Sequence, residues 1–597
     1  VHESATWIHI QTGSRILSEH AIPRTDPFSY TVSGRAWTTD SWLADALFFL
    51  VHENFGPRAL VLLKSVVAAA GFALLLPLNL ASPLTSATVL GLGAVSAWTG
   101  LTELPAVFDL LMLSLFIRLL RPRKKFKLAT AAQAAGLEWL WANLHGTTAI
   151  LGVWLALLKA FKAGTMRASE RQERLGHWGL FAAVLFALGL NPHGLSVVAH
   201  MFGGMEASTT AWQPLSPYFN LYNLFLLAGA LGCMVMLQQE FFLTMTAATA
   251  LLLSVIVPEM RALAVLAACP VVALALGHFT PPQDDDLPGL ARWAAVMAAL
   301  LGVHWLSVAV PLGGSRGYPV QSIEGAAQFL KSSGVRGRMF NEVESGALLI
   351  GAGGRPVFVD ARAALYGPQF VRDAESWPYR FKSQLDAVYG FDYAVLLNHR
   401  QRYPAKALDE DPDWRLAYAD DTALVYVKRS GVSGWLVKDW PPRLVRPNAL
   451  WPEVMDASLA DAKRLPRVME ELDKWILQAP DSAQALIWKA YALDSRKLAD
   501  NAERLLTLAS ARRRVRRDPE LAAELAFALD HHGNAAEARR LYRQAALIAR
   551  RRGERHLYAE ILGKLSLSYR REGDAAQADD LERRAKDADV PAFAEDI

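Results

Sequence analysis

The chain is poor in the residues that build the commonest catalytic and redox devices. Cysteine occurs twice in 597 residues, at Cys233 and Cys269, each inside an apolar run. No disulfide framework is expected, the C-terminal half has no thiol to oxidise, and cysteine usage does not identify the compartment. There is no phosphate-cradling glycine loop, no Cys/His zinc spacing and no Gly-x-Ser-x-Gly elbow, so redox, ATPase and serine-hydrolase readings have no local support. Charge is scarce too. Charged residues make up 20% of the chain and the net charge is only +4, which gives no nucleic-acid signal.

Hydrophobicity, in contrast, is plentiful and unevenly placed. Hydrophobic residues reach 52%, and mean hydropathy is +0.16. From Arg58 to about Leu312, apolar runs follow one another with few charges; from Gly313 onward the composition is that of ordinary soluble protein. A bilayer crossing needs roughly 17–25 apolar residues. Spans are expected near 58–80, 84–101, 105–121, 128–144, 148–163, 177–191, 219–237, 241–257, 262–278 and 292–311. The expected fold is therefore mainly α: a polytopic helical membrane domain of about ten spans, a small α/β domain, and C-terminal α-hairpin repeats.

Two basic connections orient the spans. Arg121, Arg123, Lys124, Lys125 and Lys127 lie between the third and fourth spans. Lys159, Lys162, Arg167, Arg171 and Arg174 lie between the fifth and sixth. The positive-inside rule makes both cytoplasmic, and the two intervening crossings make them agree. Residues 1–57 and the soluble half then lie outside, which in a bacterium is the periplasm. Val1 is not an initiator methionine, and an exported first segment suggests an upstream span outside this chain.

Topology gathers the polar motifs on one face. The first segment carries Glu3, His9, Arg24, Asp26, Arg35, Asp40 and Asp45. The fourth span ends in Trp141-Ala142-Asn143-Leu144-His145-Gly146, and the sixth in Leu190-Asn191-Pro192-His193-Gly194. Glu206, Trp212 and Gln213 follow, and Arg261 opens the ninth span. Ionisable groups at membrane edges often mark substrate paths. Simpler roles exist for each: tryptophans as interfacial anchors, His145 and His193 as helix caps, Asp26 as a turn former.

The collinear set Trp7, His9, Gly13, Pro23, Asp26 to Thr31, Trp37 and Trp42 resembles the first extracytoplasmic loop of bacterial membrane proteins related to the GT-C glycosyltransferases. The likeness continues through Trp141 to Gly146, Leu190 to Gly194, Gly337 to Asn341, Val357 to Arg362 and Leu365 to Gly367, and covers roughly residues 1–430. It implies transfer of a sugar from a polyprenyl-phosphate carrier, the implied donor substrate, to an acceptor outside the membrane. That chemistry needs a carboxylate to activate the acceptor and cations to hold the leaving phosphate. Of two early acidic slots, one is Glu3 and the other is Ala5; Asp40 and Ser41 stand where a His-Glu pair is common. On this resemblance Glu3, His9, Asp26 and Asp40 are the catalytic candidates. Arg24, Arg35, His145, His193, Arg261, Asp360 and Arg362 are the substrate-binding ones. No metal ligand set is assigned and a divalent cation stays open. Arg24 and Arg35 serve equally as lipid headgroup contacts.

Residues 313–430 read as the α/β unit. Gln321 to Lys331 is helical, and Arg338 to Phe340, Pro356 to Val359 and Tyr393 to Leu397 are strand candidates. Trp414 to Ala419 and Ala423 to Val427 form a hairpin through Asp420-Asp421-Thr422. Asp360-x-Arg362 at a strand end suits a ligand or a local ion pair. Residues 431–480, rich in Pro, Trp and Arg around 438–453, read as a linker or strap. Residues 481–597 resemble tetratricopeptide-type repeats. One set is Ala526, Leu529, Gly533, Ala538, Tyr542 and Ala545; a second is Ser566, Tyr569, Gly573, Ala578 and Ala585; an earlier, degenerate one has Leu493, Ala502 and Ala509. The glycines stand 40 positions apart, which predicts lengthened helices. The arginine run from Arg512 to Arg517 reads as a solvated face. Two functions follow: an inner-membrane glycosyltransferase acting on the periplasmic side, or a non-catalytic scaffold of the same fold that docks a protein partner through its repeats. The bilayer and a lipid-linked sugar are the other expected partners.

Overall fold

The computed structural model describes residues 5–78, 81–97, 101–121, 126–164, 171–198, 221–257, 260–279, 323–353, 355–375, 385–398 and 403–589. It is mainly helical with one small sheet. The chain divides into two compact units. The first holds residues 1–320 together with the excursion Ala361–Val371; the second holds Gln321–Asp360 and Arg372 to the end.

In the first unit the apolar runs become helices: α1 (Thr6–Glu19), α2 (Trp42–Phe55), α3 (Pro57–Ala73), α4 (Pro83–Ala97), α5 (Val107–Leu120), α6 (Leu128–Leu144), α7 (Gly146–Gly164), α8 (Arg171–Leu188), α9 (Leu221–Met236), α10 (Phe241–Ile256) and α11 (Arg261–Phe279). Nine of the ten expected spans coincide with α3 to α11; the tenth, 292–311, lies outside the described residues, as do Glu206, Trp212 and Gln213. By length and apolarity alone, two helices among the described residues suffice to cross a membrane, Gly146–Gly164 and Arg261–His278, while Thr85–Ala97, Tyr222–Met236 and Phe241–Ile256 are apolar but shorter. The charged residues that begin α8 and the prolines that open α3 and α4 shorten the purely apolar stretches.

Small residues set the spacing between these helices. A Cβ on Gly13 of α1 would lie 2.0 Å from the Asp45 carbonyl oxygen of α2, so only glycine lets α1 and α2 meet this closely. Gly152 of α7 likewise leaves room for Glu138 of α6, whose carboxyl would stand 1.9 Å from a Cβ there. Glu138 is fully buried, and its two carboxyl oxygens have no hydrogen-bond partner among the described residues.

The helix ends sort into two sets. One set joins the start of α2, the start of α5, the end of α6, the start of α7 and the turn after α8: Trp42 Nε1 donates to Asn143 Oδ1 at 2.8 Å, and Asn143 Nδ2 donates to the Leu190 carbonyl at 3.2 Å. The other joins the end of α5 to the carbonyl of Leu78 and to Glu240 through Arg121, and Phe126 to Glu173. The first set holds the ends expected outside, the second those expected inside.

The second unit is built on a four-stranded sheet in the order β1-β2-β4-β3, with β1 (Met339–Asn341) parallel to β2 (Tyr393–Leu397) and β2 antiparallel to β4 (Ala423–Lys428), which forms a hairpin with β3 (Trp414–Ala419). Helices α12 (Glu324–Ser332) and α13 (Val343–Gly353) accompany it. Pro356 to Val359 is not a strand of the sheet. The Asn341 side chain takes over its pairing, accepting from Phe358 N and donating to the Val359 carbonyl, both at 2.7 Å. Phe340, Phe358 and Phe391 pack beneath with ring centroids 5.2–5.5 Å apart.

The stretch 431–480 contains more than a connection. Helix α14 (Leu465–Gln478) buries Val468, Leu472 and Trp475, spaced i, i+4, i+7, and Trp475 Nε1 donates to the Ala419 carbonyl of β3 at 2.9 Å. Three helical hairpins follow: α15 (Ala483–Asp494) with α16 (Ala499–Ser510), α17 (Pro519–His531) with α18 (Ala535–Arg552), and α19 (Arg555–Arg571) with α20 (Ala575–Asp589). Ala526, Leu529, Ala538, Tyr542 and Ala545 are buried where helices cross, and Gly533 and Gly573 take the positive φ of a helix C-terminal turn. Helices of 18 and 17 residues, α18 and α19, account for the long glycine spacing. The hairpins are continuous with the sheet. The buried Asp421 carboxylate, in the β3–β4 turn, accepts from Ser482 Oγ, Ala483 N and Gln484 N at 2.6–3.0 Å and caps α15.

Candidate functional site

The first set of helix ends assembles two carboxylate–imidazole pairs. In one, His9 of α1 places Nδ1 2.7 Å from Asp45 Oδ1 of α2, and Ser41 Oγ donates to the same oxygen at 3.0 Å. In the other, His145, in the joint between α6 and α7, places Nδ1 2.8 Å from Asp109 Oδ2 at the start of α5. Asp109 Oδ1 accepts from Trp141 Nε1 at 2.8 Å and from Thr148 Oγ1 at 2.6 Å. Asp40 ties the two pairs together. Its backbone carbonyl accepts from Gly146 N at 2.9 Å and its Oδ2 from Thr147 N at 3.3 Å, which sets the carboxyl at the N-terminus of α7.

The local reasons are legible. Asn143 and His145 end α6 because His145 leaves the helical conformation, with φ −158° and ψ 81°. Gly146 restarts the chain as α7; a Cβ there would meet the Asp40 carbonyl at 3.2 Å and Val197 at 3.3 Å. Asp45 and Asp109 are buried, and each carboxylate finds its partner in an imidazole and a hydroxyl.

The electrostatics separate the pairs. Burial lowers the His145 imidazole, but bonded Asp109, with Asp40 and Asp45 beyond it, outweighs that and raises it to about 9. The ring is a cation at neutral pH. Its Nδ1 is taken by Asp109, and Nε2 has no partner among the described residues. Burial raises the Asp45 carboxyl above the ordinary carboxylate range, although the His9 bond pulls the other way.

Among the expected catalytic residues, His9 and Asp40 belong to this cluster. Glu3 lies outside the described residues. Asp26 is buried and engaged elsewhere: it accepts from Phe28 N at 3.1 Å and Ser29 N at 3.0 Å, and pairs at 2.8 Å with Arg362 of the excursion. The Arg362 guanidinium also lies over Trp37 at 4.7 Å and Phe28 at 5.3 Å. Asp26 is thus a turn former and Arg362 its counter-ion.

The expected binding residues distribute as follows. His145 is in the cluster. His193 lies in the turn held by Asn191, next to the Leu190 carbonyl that binds Asn143. Arg24 and Arg35 are exposed on either side of a single Thr25–Ala36 bridge. Arg261 opens α11, its guanidinium 5.6 Å from the Tyr222 ring centre, and none of the described contacts joins it to the cluster. Asp360 is buried in the second unit.

Sequence reasoning missed Asp109 and undervalued Asp45. Asp109 is a lone acid in an apolar run, and its meaning emerges only with His145, 36 positions away. Among the described residues no three His, Cys, Asp or Glu side chains form a group that could hold a metal ion. Comparison with known protein families finds no match, and no curated protein matches the chain.

Proposed function

We propose that the chain is a GT-C-like integral membrane glycosyltransferase of a bacterial inner membrane. In this reading it moves a sugar from a polyprenyl-phosphate carrier to an acceptor on the periplasmic face. One observation carries the reading: His9, Asp40, Asp45, Asp109 and His145, drawn from four separate stretches of chain, meet at the ends of helices expected outside. The membrane reading draws support from side chains that ought not to face water. Leu62 and Val66 of α3, Phe186 of α8, Leu227, Leu231 and Met234 of α9 and Leu252 of α10 are all exposed, while Asp109 and Glu138 are buried.

The chemistry divides between two residues. Asp40 is half-buried and sets its carboxyl beside the α7 N-terminus, where it is suited to accept the proton of an acceptor hydroxyl. His145 is held cationic by Asp109 and offers Nε2–H to a phosphate oxygen as the carrier leaves. Asp45 and Asp109 orient the imidazoles. Turnover of lipid-linked sugar by the reconstituted protein tests this. Asp40→Asn should lower it by about three powers of ten and His145→Gln by about two. Unchanged turnover in Asp40→Asn would refute the assignment.

A second reading, a non-catalytic scaffold of the same fold, is favoured by the three hairpins. As tetratricopeptide-like repeats they would hold a protein partner on a stacked surface. Its mark is a wild-type protein that neither binds nor turns over the carrier, yet loses a co-purifying protein when the repeat surface is altered.

A further inference from the structure

The stretch between the sheet and α14 runs across the first helix of all three hairpins. Gln484 Nε2 of α15 donates to the Pro447 carbonyl at 2.7 Å. Trp451 packs on Phe527 of α17, with ring centroids 5.5 Å apart. Lys564 of α19 pairs with Glu453 at 2.5 Å and lays its ammonium over both rings, 4.8 Å from the centre of Trp451 and 4.6 Å from that of Phe527. Tyr491 Oη of α15 donates to Asp456 Oδ1 at 2.9 Å. Leu450, Trp451, Pro452 and Met455 are buried, whereas Glu453, Val454 and Asp456 are exposed. A face shared by the first helices of the array is thus taken by the chain itself.

The two parts of this stretch are held differently. Up to Val445 the backbone is fastened to the sheet and to α14. Arg415 Nε donates to the Trp440 carbonyl at 2.9 Å, and Leu444 N and Val445 N donate to Glu471 Oε2 at 2.8 and 2.9 Å. From Asn448 to Met455 no backbone group bonds to α15, α17 or α19 among the described residues. Side chains alone make the attachment there. Asn448 Oδ1 is buried with no partner among the described residues, which disfavours the seated state. Core segments satisfy their buried polar groups. This one is held by a tryptophan anchor and flanking charges, as a docked segment is.

We propose that residues 447–456 are a built-in ligand of the hairpin array, and that they hold its face shut against a protein partner of the same pattern. That pattern is an extended segment with a tryptophan, a carboxylate two positions on and another five positions on. Trp451, Glu453 and Asp456 supply it here, and Phe527, Lys564 and Tyr491 receive it. Tethered at both ends, the built-in segment competes at an effective concentration on the order of millimolar. A partner therefore docks only where the strap has left. The inference rests on the docking reading of the hairpins, and names both what docks and what prevents it.

The test uses the full chain in detergent and a fluorescent synthetic peptide of residues 445–457. Trp451→Ser with Glu453→Gln removes two anchors from the strap and leaves the hairpins untouched. This opened chain should bind the peptide, and wild type should bind it at least about 100-fold more weakly. Adding Lys564→Glu to the opened chain should lower its affinity about tenfold, and a peptide carrying Glu453→Lys should recover it. In wild type, amides between 448 and 455 should exchange hydrogen faster than those of α15 and α17. An opened chain that keeps its melting transition and binds no peptide overturns the built-in ligand and the docking reading together. Binding that ignores the charge at position 564 overturns the proposed pattern and leaves docking standing. Wild type that binds as tightly as the opened chain overturns the closure. An opened chain that does not fold, or strap amides protected as long as those of α15, makes the strap part of the core and overturns the proposal.

Discussion

His145 Nδ1 stands 2.8 Å from Asp109 Oδ2, and Asp109 is further held by Trp141 and Thr148. This bond ties the α6–α7 joint to the start of α5 and leaves Nε2 as the imidazole nitrogen without a partner among the described residues. Because the pair raises the His145 ring to about 9 from an ordinary value of 6.5, it stabilises the fold fully below pH 6.5. That contribution is lost as pH rises through 9, and it amounts to at most about 3 kcal/mol. Asp109→Asn should lower the melting temperature at pH 6 and flatten the decline between pH 6.5 and 9.5. A variant with the wild-type pH profile would show that the pair adds nothing to stability.

Gly13 carries the docking of α1 on α2, since a Cβ would run into the Asp45 carbonyl. Gly13→Ala should cost about 1–3 kcal/mol and pull His9 from Asp45. Thermal unfolding in detergent measures the first effect, and the His9 NMR chemical shift reads the second. A neutral Gly13→Ala would mean that the helices have slack that the contact distances deny.

Glu138 and Gly152 should behave as one unit. Gly152→Ala drives a methyl into the Glu138 carboxyl, whereas Glu138→Ala vacates that space. The double variant should be at least about 1 kcal/mol more stable than the sum of the single ones predicts. Additive losses would show that the two side chains do not share the space. Glu138→Met, which removes a buried polar group with no partner among the described residues, should by itself leave the fold as stable or more so.

Much of this architecture was readable from the chain. The nine helices lie where apolar runs end at charges or prolines. The β3–β4 hairpin turns at Asp420, whose carboxylate accepts from Thr422 N and Ala423 N as an Asx turn should. What escaped was long-range. Asp109 looks like an isolated acid until α6 returns His145 to it. Asp26 offers itself as a catalytic acid until residue 362 comes back as its counter-ion. The pairing of Pro356 to Val359 is taken by one side chain, Asn341, which no alternation pattern reveals. Helix α14 was legible in Val468, Leu472 and Trp475, but the Pro- and Trp-rich stretch before it obscured that pattern.

Asp421 joins the sheet to the hairpin array through three bonds at the start of α15. Asp421→Ala should cost about 2–3 kcal/mol, and limited proteolysis should then open the chain near Pro480. Protease resistance equal to wild type would show that the cap is dispensable and that Trp475 alone holds the junction.

The proposed transfer reaction requires the cluster to lie on the outer face. Single cysteines at Arg35, Arg171 and Asp500, each in a chain with Cys233→Ser, test it directly with a membrane-impermeant maleimide on intact spheroplasts. The account predicts labelling at 35 and 500 without lysis and at 171 only after lysis. Labelling at 171 in intact cells with protection at 35, or equal labelling of all three, would contradict it.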